Sequence, residues 1–152
     1  MRILSTLILL STLAFWHCAS DKSAANLPAG ENLTLEYELI RNQMGEVPAE
    51  VTIRLINNST QTLPDSGWAI YFSQIIGPRP DSGSLKTIAF ENLDGDFYRF
   101  YPLDSFEPIP PRETQEINFS GSGFSSKMSE VLGGAYIVYR DDTGEELTPQ
   151  PL

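Results

Sequence analysis

The sequence of 152 residues contains 20 Asp and Glu against 10 Lys and Arg, which gives a formal net charge of −10. Because phosphate recognition requires clustered Lys and Arg, this charge argues against nucleic acid as a partner. The single cysteine excludes a disulfide within the chain, so a domain of this size must be held together by its hydrophobic core.

The N-terminus, "MRILSTLILLSTLAFWHC", has one basic residue followed by a mostly apolar run, which is typical of a secretion signal. The run is shorter than the roughly 20 apolar residues of a membrane span. Cys18 stands where a bacterial lipoprotein carries its lipidated cysteine, although the bulky Trp16 and His17 depart from the small residues of a lipobox. We expect residues 1–18 to be a signal peptide, with either a lipid anchor at Cys18 or ordinary cleavage a few residues later. Both outcomes place the chain outside the cytoplasm.

Residues 19–32 are small and polar, which predicts a flexible tether before the ordered domain. From residue 33, "LTLEYELI" alternates apolar and polar side chains as a half-buried strand does, and "EVTIRLIN" repeats the pattern. We expect the domain to span residues 33–148 and to be followed by a short tail, residues 149–152.

The stretch "DSGWAIYFSQ" follows a segment rich in turn-forming residues and places Trp68, Ile70 and Phe72 on one side of a strand, with Tyr71 on the other. Further strands are predicted in "LKTIAFEN", "GDFYRFYPL", "TQEINFSG" and "GAYIVYRDD", whereas the prolines of "FEPIPPRE" exclude that segment from a sheet interior. About seven strands with turn signals between them, and no long helical periodicity, predict an all-β protein built as an antiparallel β-sandwich.

The mature chain lacks the side chains of most enzyme sites, because its only histidine, His17, leaves with the signal. Nucleophilic catalysis and zinc or copper binding both draw on His or Cys. Asp94 and Asp96 flank a turn, and "DDTGEE" at 141–146 holds four more carboxylates. We interpret both groups as solvated acidic turns, with a glycosidase carboxylate pair or a bound calcium ion as the alternatives. The sequence predicts no catalytic residue, no metal and no cofactor.

The strand "GDFYRFYPL" has aromatic side chains on both faces. Phe97, Arg99 and Tyr101 share one face, and Tyr98 and Phe100 share the other. Sugars bind by stacking on exposed rings while polar side chains contact their hydroxyls. Only one face can be core, so either Tyr98 is the exposed ring or Arg99 and Tyr101 point outward. The alternative is packing on both faces of the strand, beneath a loop. Otherwise Tyr98, Arg99 and Tyr101 are the candidate carbohydrate-binding side chains.

The segments "VTIRLINNSTQTLPDSGWAIYFSQ" and "GDFYRFYPLDSFEPIPPRETQEINFSGSG" resemble the N-terminal domain of bacterial chitobiases and family 20 β-N-acetylhexosaminidases, in which similar short motifs follow in this order. The resemblance covers residues 33–148. It implies an immunoglobulin-like sandwich related to cellulose-binding modules, with a carbohydrate-binding role. It also matches Trp68 to the buried tryptophan of such sandwiches, so we expect Trp68, Ile70 and Phe72 in the core.

The family enzymes continue into a (β/α)₈ barrel that carries an adjacent Asp-Glu pair. This sequence has no Asp-Glu dipeptide, and a barrel alone takes about 250 residues. We therefore expect a non-catalytic module and not an enzyme. With Trp68 in the core, only Tyr and Phe rings remain for a stacking surface.

The sequence thus favours a non-catalytic module of an exported lipoprotein that binds polysaccharide of the chitin or N-acetylglucosamine type. One alternative is a structural domain that packs on a partner glycoside hydrolase and presents an exposed apolar patch to it. Another is the N-terminal fragment of a truncated β-N-acetylhexosaminidase. The expected partners are a polysaccharide or amino-sugar oligomer, a partner hydrolase in the first alternative, and a membrane only through the lipid anchor.

Overall fold

The structure is a computed structural model, and it describes residues 26–74, 76–78, 85–123 and 132–152. The predicted signal peptide with Cys18, and the first part of the predicted tether, lie outside these residues. Within the described ranges, no helix is long and apolar enough to cross a membrane.

The described residues form nine strands in two antiparallel sheets, preceded by a short 3₁₀ turn, Gly30–Asn32. The strands are β1 (Leu33–Arg41), β2 (Ala49–Asn57), β3 (Trp68–Ser73), β4 (Gly77–Pro78), β5 (Ile88–Asp94), β6 (Phe97–Pro102), β7 (Thr114–Ser122), β8 (Gly133–Tyr139) and β9 (Gln150–Pro151). One sheet has the order β1-β2-β7-β4 and the other the order β5-β6-β3-β8-β9. The two sheets pack face to face, which confirms the predicted β-sandwich.

Alternation along the strands fills the space between the sheets. In the four-stranded sheet, Ile53 on β2 lies opposite Tyr37 on β1 and Ile117 on β7. In the five-stranded sheet, Ile70 on β3 lies opposite Phe100 on β6 and Ile137 on β8. Opposite residues of an antiparallel sheet share a face, so the inward side chains of both sheets meet in one core.

The three predicted core residues all lie in this core: Trp68, Ile70 and Phe72. Trp68 is 3% exposed, and its indole packs edge-on against Phe100 and Phe106 with ring centroids 6.0 and 5.3 Å away. The indole N–H donates a hydrogen bond to the Pro64 carbonyl at 2.8 Å, so its polar atom is satisfied inside the protein. Trp68 is therefore part of the hydrophobic core.

The proline-rich segment between β6 and β7 covers the core beside Trp68 although it forms no strand of its own. Phe106 and Ile109 are buried there, and Ile109 exchanges two backbone hydrogen bonds with Leu63, at 2.9 and 3.0 Å. The buried Asn57 joins this segment to the loop after β2, because its side-chain amide donates to the Ile109 and Pro110 carbonyls of the segment and to the Gln61 carbonyl of the loop. A segment that the sequence excludes from the sheet therefore still contributes to the core.

The domain is longer at both ends than the sequence predicts. The Gly30 N–H donates to the Gln150 side chain at 2.8 Å, and the Tyr139 hydroxyl donates to the Pro28 carbonyl at 2.7 Å. Residues 26–32 of the predicted tether and the predicted tail, 149–152, therefore belong to the sandwich. These contacts join residues 120 and 111 positions apart, so no local pattern in the sequence marks them.

Two of the nine strands are absent from the predicted seven. β4 pairs with β7 in the four-stranded sheet, and β9 pairs with β8 in the five-stranded sheet. Each consists of two residues. A strand this short has no alternation to detect, so only its pairing partner defines it.

Candidate functional site

The outer face of the four-stranded sheet is charged. Arg54 on β2 lies between Glu38 on β1 and Glu116 on β7, at 2.7 and 2.8 Å. Arg41 and Glu50 form a further ion pair at 2.7 Å. Exposed cross-strand pairs of this kind are typical of a solvated sheet surface. This face therefore resembles the surface of many soluble domains.

The outer face of the five-stranded sheet is aromatic instead. We call the side chains of Tyr71, Phe97, Arg99, Tyr101 and Tyr136 the outer aromatic cluster. Because side chains alternate across a strand, these residues point away from the core that their chain neighbours fill. The packing between the sheets does not require rings at these positions.

One row of the cluster crosses the whole sheet. Arg99 on β6 lies opposite Glu91 on β5 and Tyr71 on β3. Tyr71 in turn lies opposite Tyr136 on β8, which lies opposite Pro151 on β9. Because directly opposite residues share a face, these five side chains form a continuous line across five strands.

The rings of the cluster are stacked. The Tyr71 ring lies 5.0 Å from that of Tyr136, with 4° between the planes, and 6.1 Å from that of Phe97, with 26° between the planes. Offset stacking at these separations is a favourable aromatic geometry. Phe97, Tyr71 and Tyr136 therefore form a rigid array contributed by three neighbouring strands.

Arg99 links this array to Tyr101. Its guanidinium carbon lies 5.9 Å from the Tyr71 ring centroid and 5.3 Å from that of Tyr101, within the range of cation–π attraction. Arg99 also forms an ion pair with Glu91. Hydrogen bonding with Tyr71 and then with Glu91 raises the pKa of Arg99 above its ordinary value, so the side chain stays charged. The Arg99 Nε is buried and has no hydrogen-bond partner.

The four rings differ in how much surface they offer. Tyr71 is only 9% exposed, whereas Phe97, Tyr101 and Tyr136 are partly exposed. Burial and the neighbouring Tyr71 and Glu146 raise the pKa of Tyr136, so its phenol is neutral at neutral pH. Tyr71 therefore supports the array from within, and the other three rings provide the accessible apolar surface.

A depression of about 290 Å³ adjoins the cluster beside Tyr101. Arg99 and Arg140 supply its charged side chains, and the small residues Gly67 and Ala69 also line it. Gly67 has a φ of +78°, a backbone conformation that favours glycine. Arginines from two separate elements thus line one hollow, next to a partly exposed ring.

The structure brings together two of the three predicted binding residues and separates the third. Arg99 and Tyr101 lie in the outer aromatic cluster. Tyr98 lies on the opposite face of β6, where its half-buried ring stacks on Phe72 in the core with the centroids 6.1 Å apart. The prediction that groups Tyr98 with the candidate sugar-binding residues is therefore corrected, because the structure places its ring on the inner face of β6.

Gly77 explains where Tyr98 goes. A methyl group at Gly77 would collide with the Tyr98 hydroxyl, so the bare backbone of β4 makes room for the phenol. The sequence gives no sign of this contact, because β4 has only two residues and no strand is predicted there. The prediction also did not include Phe97, Tyr71 and Tyr136 in the candidate site, although strand alternation places each of them on the sheet face that points away from the core.

The acidic turns contribute no cluster of metal ligands in the described part of the chain, where no group of three or more His, Cys, Asp or Glu side chains is placed to hold an ion. Asp94 and Asp96 are exposed around the β5–β6 turn. Asp141 accepts hydrogen bonds from the Thr143 hydroxyl and from the Thr143 and Glu145 backbone N–H groups, which lowers its pKa. Its carboxylate therefore organises its own turn.

A family model described as "Putative carbohydrate binding domain" matches residues 32–150. Among solved structures, the chain is similar to the GH20 exo-β-N-acetylglucosaminidase of Vibrio harveyi, both as an inactive mutant and in complex with N-acetylglucosamine. Each match has a TM-score of 0.56 and 16% identity, and covers 78% of this chain and 17% of that chain. A comparison with curated protein sequences finds no match.

A CBM3 of Hungateiclostridium clariflavum matches with a TM-score of 0.45 and 11% identity, over 76% of this chain and 95% of that chain. The chain spans about a sixth of the length of the Vibrio enzyme. At 16% identity, the likeness to that enzyme shows the fold alone.

Proposed function

The chain belongs to the family of carbohydrate-binding domains whose model matches residues 32–150, and on that premise we propose that it is a non-catalytic module that binds polysaccharide on the outer aromatic cluster. The proposed ligand is a polymer of the chitin or N-acetylglucosamine type. The solved relative from Vibrio harveyi, an exo-β-N-acetylglucosaminidase, supports this sugar class.

The observation that carries the proposal is the contrast between the two outer faces. One face has charged cross-strand pairs around Arg54, as a solvated sheet surface should. The other has a stacked array of rings although its sheet already has a full inner core. Partly exposed apolar rings in one contiguous area are characteristic of a binding surface.

The geometry suits a sugar chain. The apolar C–H face of a pyranose can lie on Phe97, Tyr101 or Tyr136. The first and last of these rings are held by stacking on Tyr71, and Tyr101 is held by the Arg99 guanidinium, so all three lose little entropy on binding. Arg99 and Glu91 form the polar end of the same row and can exchange hydrogen bonds with hydroxyls. Rings on neighbouring strands allow contact with more than one sugar of a chain.

Cellular location is part of the proposal. The apolar N-terminal run and Cys18 support export, with a lipid on Cys18 as the anchor. An exported, anchored module would hold polysaccharide at the cell surface or in the periplasm. Loss of membrane association in a Cys18→Ser variant, with export retained, is the expected result; an equal membrane fraction in both proteins would contradict the anchor.

The binding proposal is tested by a pull-down of residues 26–152 on insoluble chitin and on cellulose. We expect chitin to retain the protein and a Tyr101→Ala, Tyr136→Ala double variant to be released. Ile40→Ala, which truncates an exposed apolar side chain on the other sheet, is the control and should behave like the original chain. Retention of the double variant at the level of the control would overturn the assignment to this face.

A second candidate function is supported by a different surface. Ile40, Met44 and Val47 are exposed at the β1–β2 hairpin, Met44 by 70%, and an apolar patch is what docking to a partner hydrolase would require. This candidate becomes the preferred one if neither polymer retains the protein. Ile40→Ser and Met44→Ser would then weaken capture of the hydrolase, whereas Tyr101→Ala would not.

A further inference from the structure

The depression beside Tyr101 has an unusual concentration of positive side chains for so acidic a protein. The chain has only 10 Lys and Arg, and two of them, Arg99 and Arg140, line this one hollow. Arg99 comes from β6, and Arg140 directly follows β8. Two arginines from separate elements therefore line one hollow, next to a ring that is proposed to hold a sugar.

Both guanidiniums keep donors that no protein group uses. Arg140 contacts Glu146 through one nitrogen at 3.2 Å, and both side chains are about half exposed. Arg99 contacts Glu91 through one terminal nitrogen, and its side chain is partly exposed; its Nε is buried and faces no entering group. Since a guanidinium has five N–H donors, the hollow can donate further hydrogen bonds to a group that enters it.

The charges favour a neutral group over an anionic one. Glu91 already faces Arg99, and Glu146 already faces Arg140, so the positive charges are locally balanced. The chain as a whole carries a net charge of −10, which repels an acidic polymer. A neutral hydrogen-bond acceptor can use the remaining donors without that repulsion.

About half of the surface that lines the depression is apolar. Ala69, Pro102 and the Tyr101 ring contribute carbon surface. A group that fits must therefore combine an acceptor oxygen with a small apolar end. The acetamido group of an N-acetylated sugar has both, as a carbonyl and a methyl, and about 290 Å³ accommodates it together with part of the sugar ring.

We propose that this depression is a subsite for the acetamido group, in which Arg99 and Arg140 donate to the carbonyl oxygen while the methyl lies against Ala69 and Pro102. The inference rests on the proposed function, since the sugar must first stack on Tyr101. It makes Arg140 a specificity-determining residue. The C2 hydroxyl of glucose lacks the reach and the methyl of the acetamido group, and the ammonium of a deacetylated glucosamine has no acceptor for either guanidinium.

The test measures the affinity of residues 26–152 for soluble oligomers of N-acetylglucosamine, glucose and glucosamine of equal length, by calorimetric titration. An ionic strength of about 0.5 M reduces the Debye length to about 4 Å and so screens the general attraction of an acidic protein for a polycation. We expect the N-acetylated oligomer to bind about fivefold or more tightly than either of the others, as unsatisfied donors in the competing complexes imply.

In Arg140→Gln we expect this preference to fall to less than about twofold, with Arg140→Lys recovering part of it. Arg41→Gln is the matched control, because it removes an equally exposed arginine from a single ion pair with Glu50 on the other sheet, and it should keep the full preference. Thermal unfolding of each variant checks that it is folded.

Three results would overturn the subsite. Equal affinity of the original chain for the N-acetylated and glucose oligomers removes the discrimination while leaving sugar binding intact. An Arg140→Gln variant that keeps the full preference for the N-acetylated oligomer would show that Arg140 does not determine this preference. Absence of binding to all three oligomers overturns the proposed function, and the subsite fails with it.

Discussion

Tyr98 and Tyr101 belong to the same strand, yet their rings have different tasks. Tyr98 stacks on Phe72 and faces the backbone of β4 at Gly77. Tyr101 lies beside Arg99 on the outer face. Removing the Tyr98 ring should therefore lower the stability of the fold, and removing the Tyr101 ring should weaken sugar binding.

We predict that Tyr98→Ala lowers the free energy of unfolding by about 2 kcal/mol, because it removes a half-buried ring from the core. Tyr101→Ala should change it by less than about 1 kcal/mol, since its ring is on the surface. Urea unfolding measures both values, and chitin retention of the folded variants should show the reverse order of effects. Tyr98→Phe, which keeps the ring, is the control. A Tyr98→Ala protein that stays fully stable and loses chitin would contradict this assignment.

At this scale the sequence predicts part of the site. Strand alternation correctly groups Arg99 with Tyr101 and separates them from Tyr98. It cannot decide which face is buried, because both faces of β6 carry rings. In the structure Phe100 is buried in the core, and Tyr98 on the same face lies against Gly77. Gly77 belongs to a strand of two residues that no periodicity reveals.

Among the elements, the turn between β8 and β9 depends on one carboxylate. Asp141 accepts hydrogen bonds from Thr143 and Glu145, which lower its pKa below the ordinary value of 3.8. A carboxyl group whose folded-state pKa is lowered stabilises the fold fully above its unfolded pKa. That contribution is lost as the pH falls through the lowered, folded-state pKa.

We therefore predict that Asp141→Ala has a lower urea midpoint than the original chain at pH 7 and that the difference shrinks as the pH falls below 3.8. Asp142→Ala, in the same turn, is the matched control and should show no comparable pH dependence. Urea unfolding over a pH series measures the effect. A difference between Asp141→Ala and the original chain that persists unchanged in acid would show that the hydrogen bonds of the ionised carboxylate do not stabilise this turn.

The longer elements could be predicted from the sequence, whereas the short ones could not. β1 and β2 alternate over nine residues each, and their pattern is visible without any partner. β9 has two residues and exists because Tyr136 and Ile137 of β8 pair with it. The contact between Gly30 and Gln150 likewise depends on a partner far away in the sequence, and it extends the domain beyond both predicted boundaries.

For the whole molecule, the two outer faces of the sandwich differ, since one is charged and the other is aromatic. Alternation, turn residues and the absence of helical periodicity were sufficient to predict the sandwich, because long strands such as β1, β2 and β7 show their inward face in their own sequence. Which outer face is aromatic depends on how β3, β6 and β8 come together, since Tyr71, Arg99 and Tyr136 are distant in sequence and adjacent only in the sheet. The candidate site therefore forms only when β6, β3 and β8 pair in this order.

The measurement that tests the central claim most directly is a backbone amide NMR titration of residues 26–152 with a soluble N-acetylglucosamine oligomer. Binding on the outer aromatic cluster predicts the largest shift changes at Tyr71, Phe97, Arg99, Tyr101 and Tyr136, with the four-stranded sheet unaffected. Changes centred on β1, β2 and β7, or no changes at saturating sugar, would contradict it.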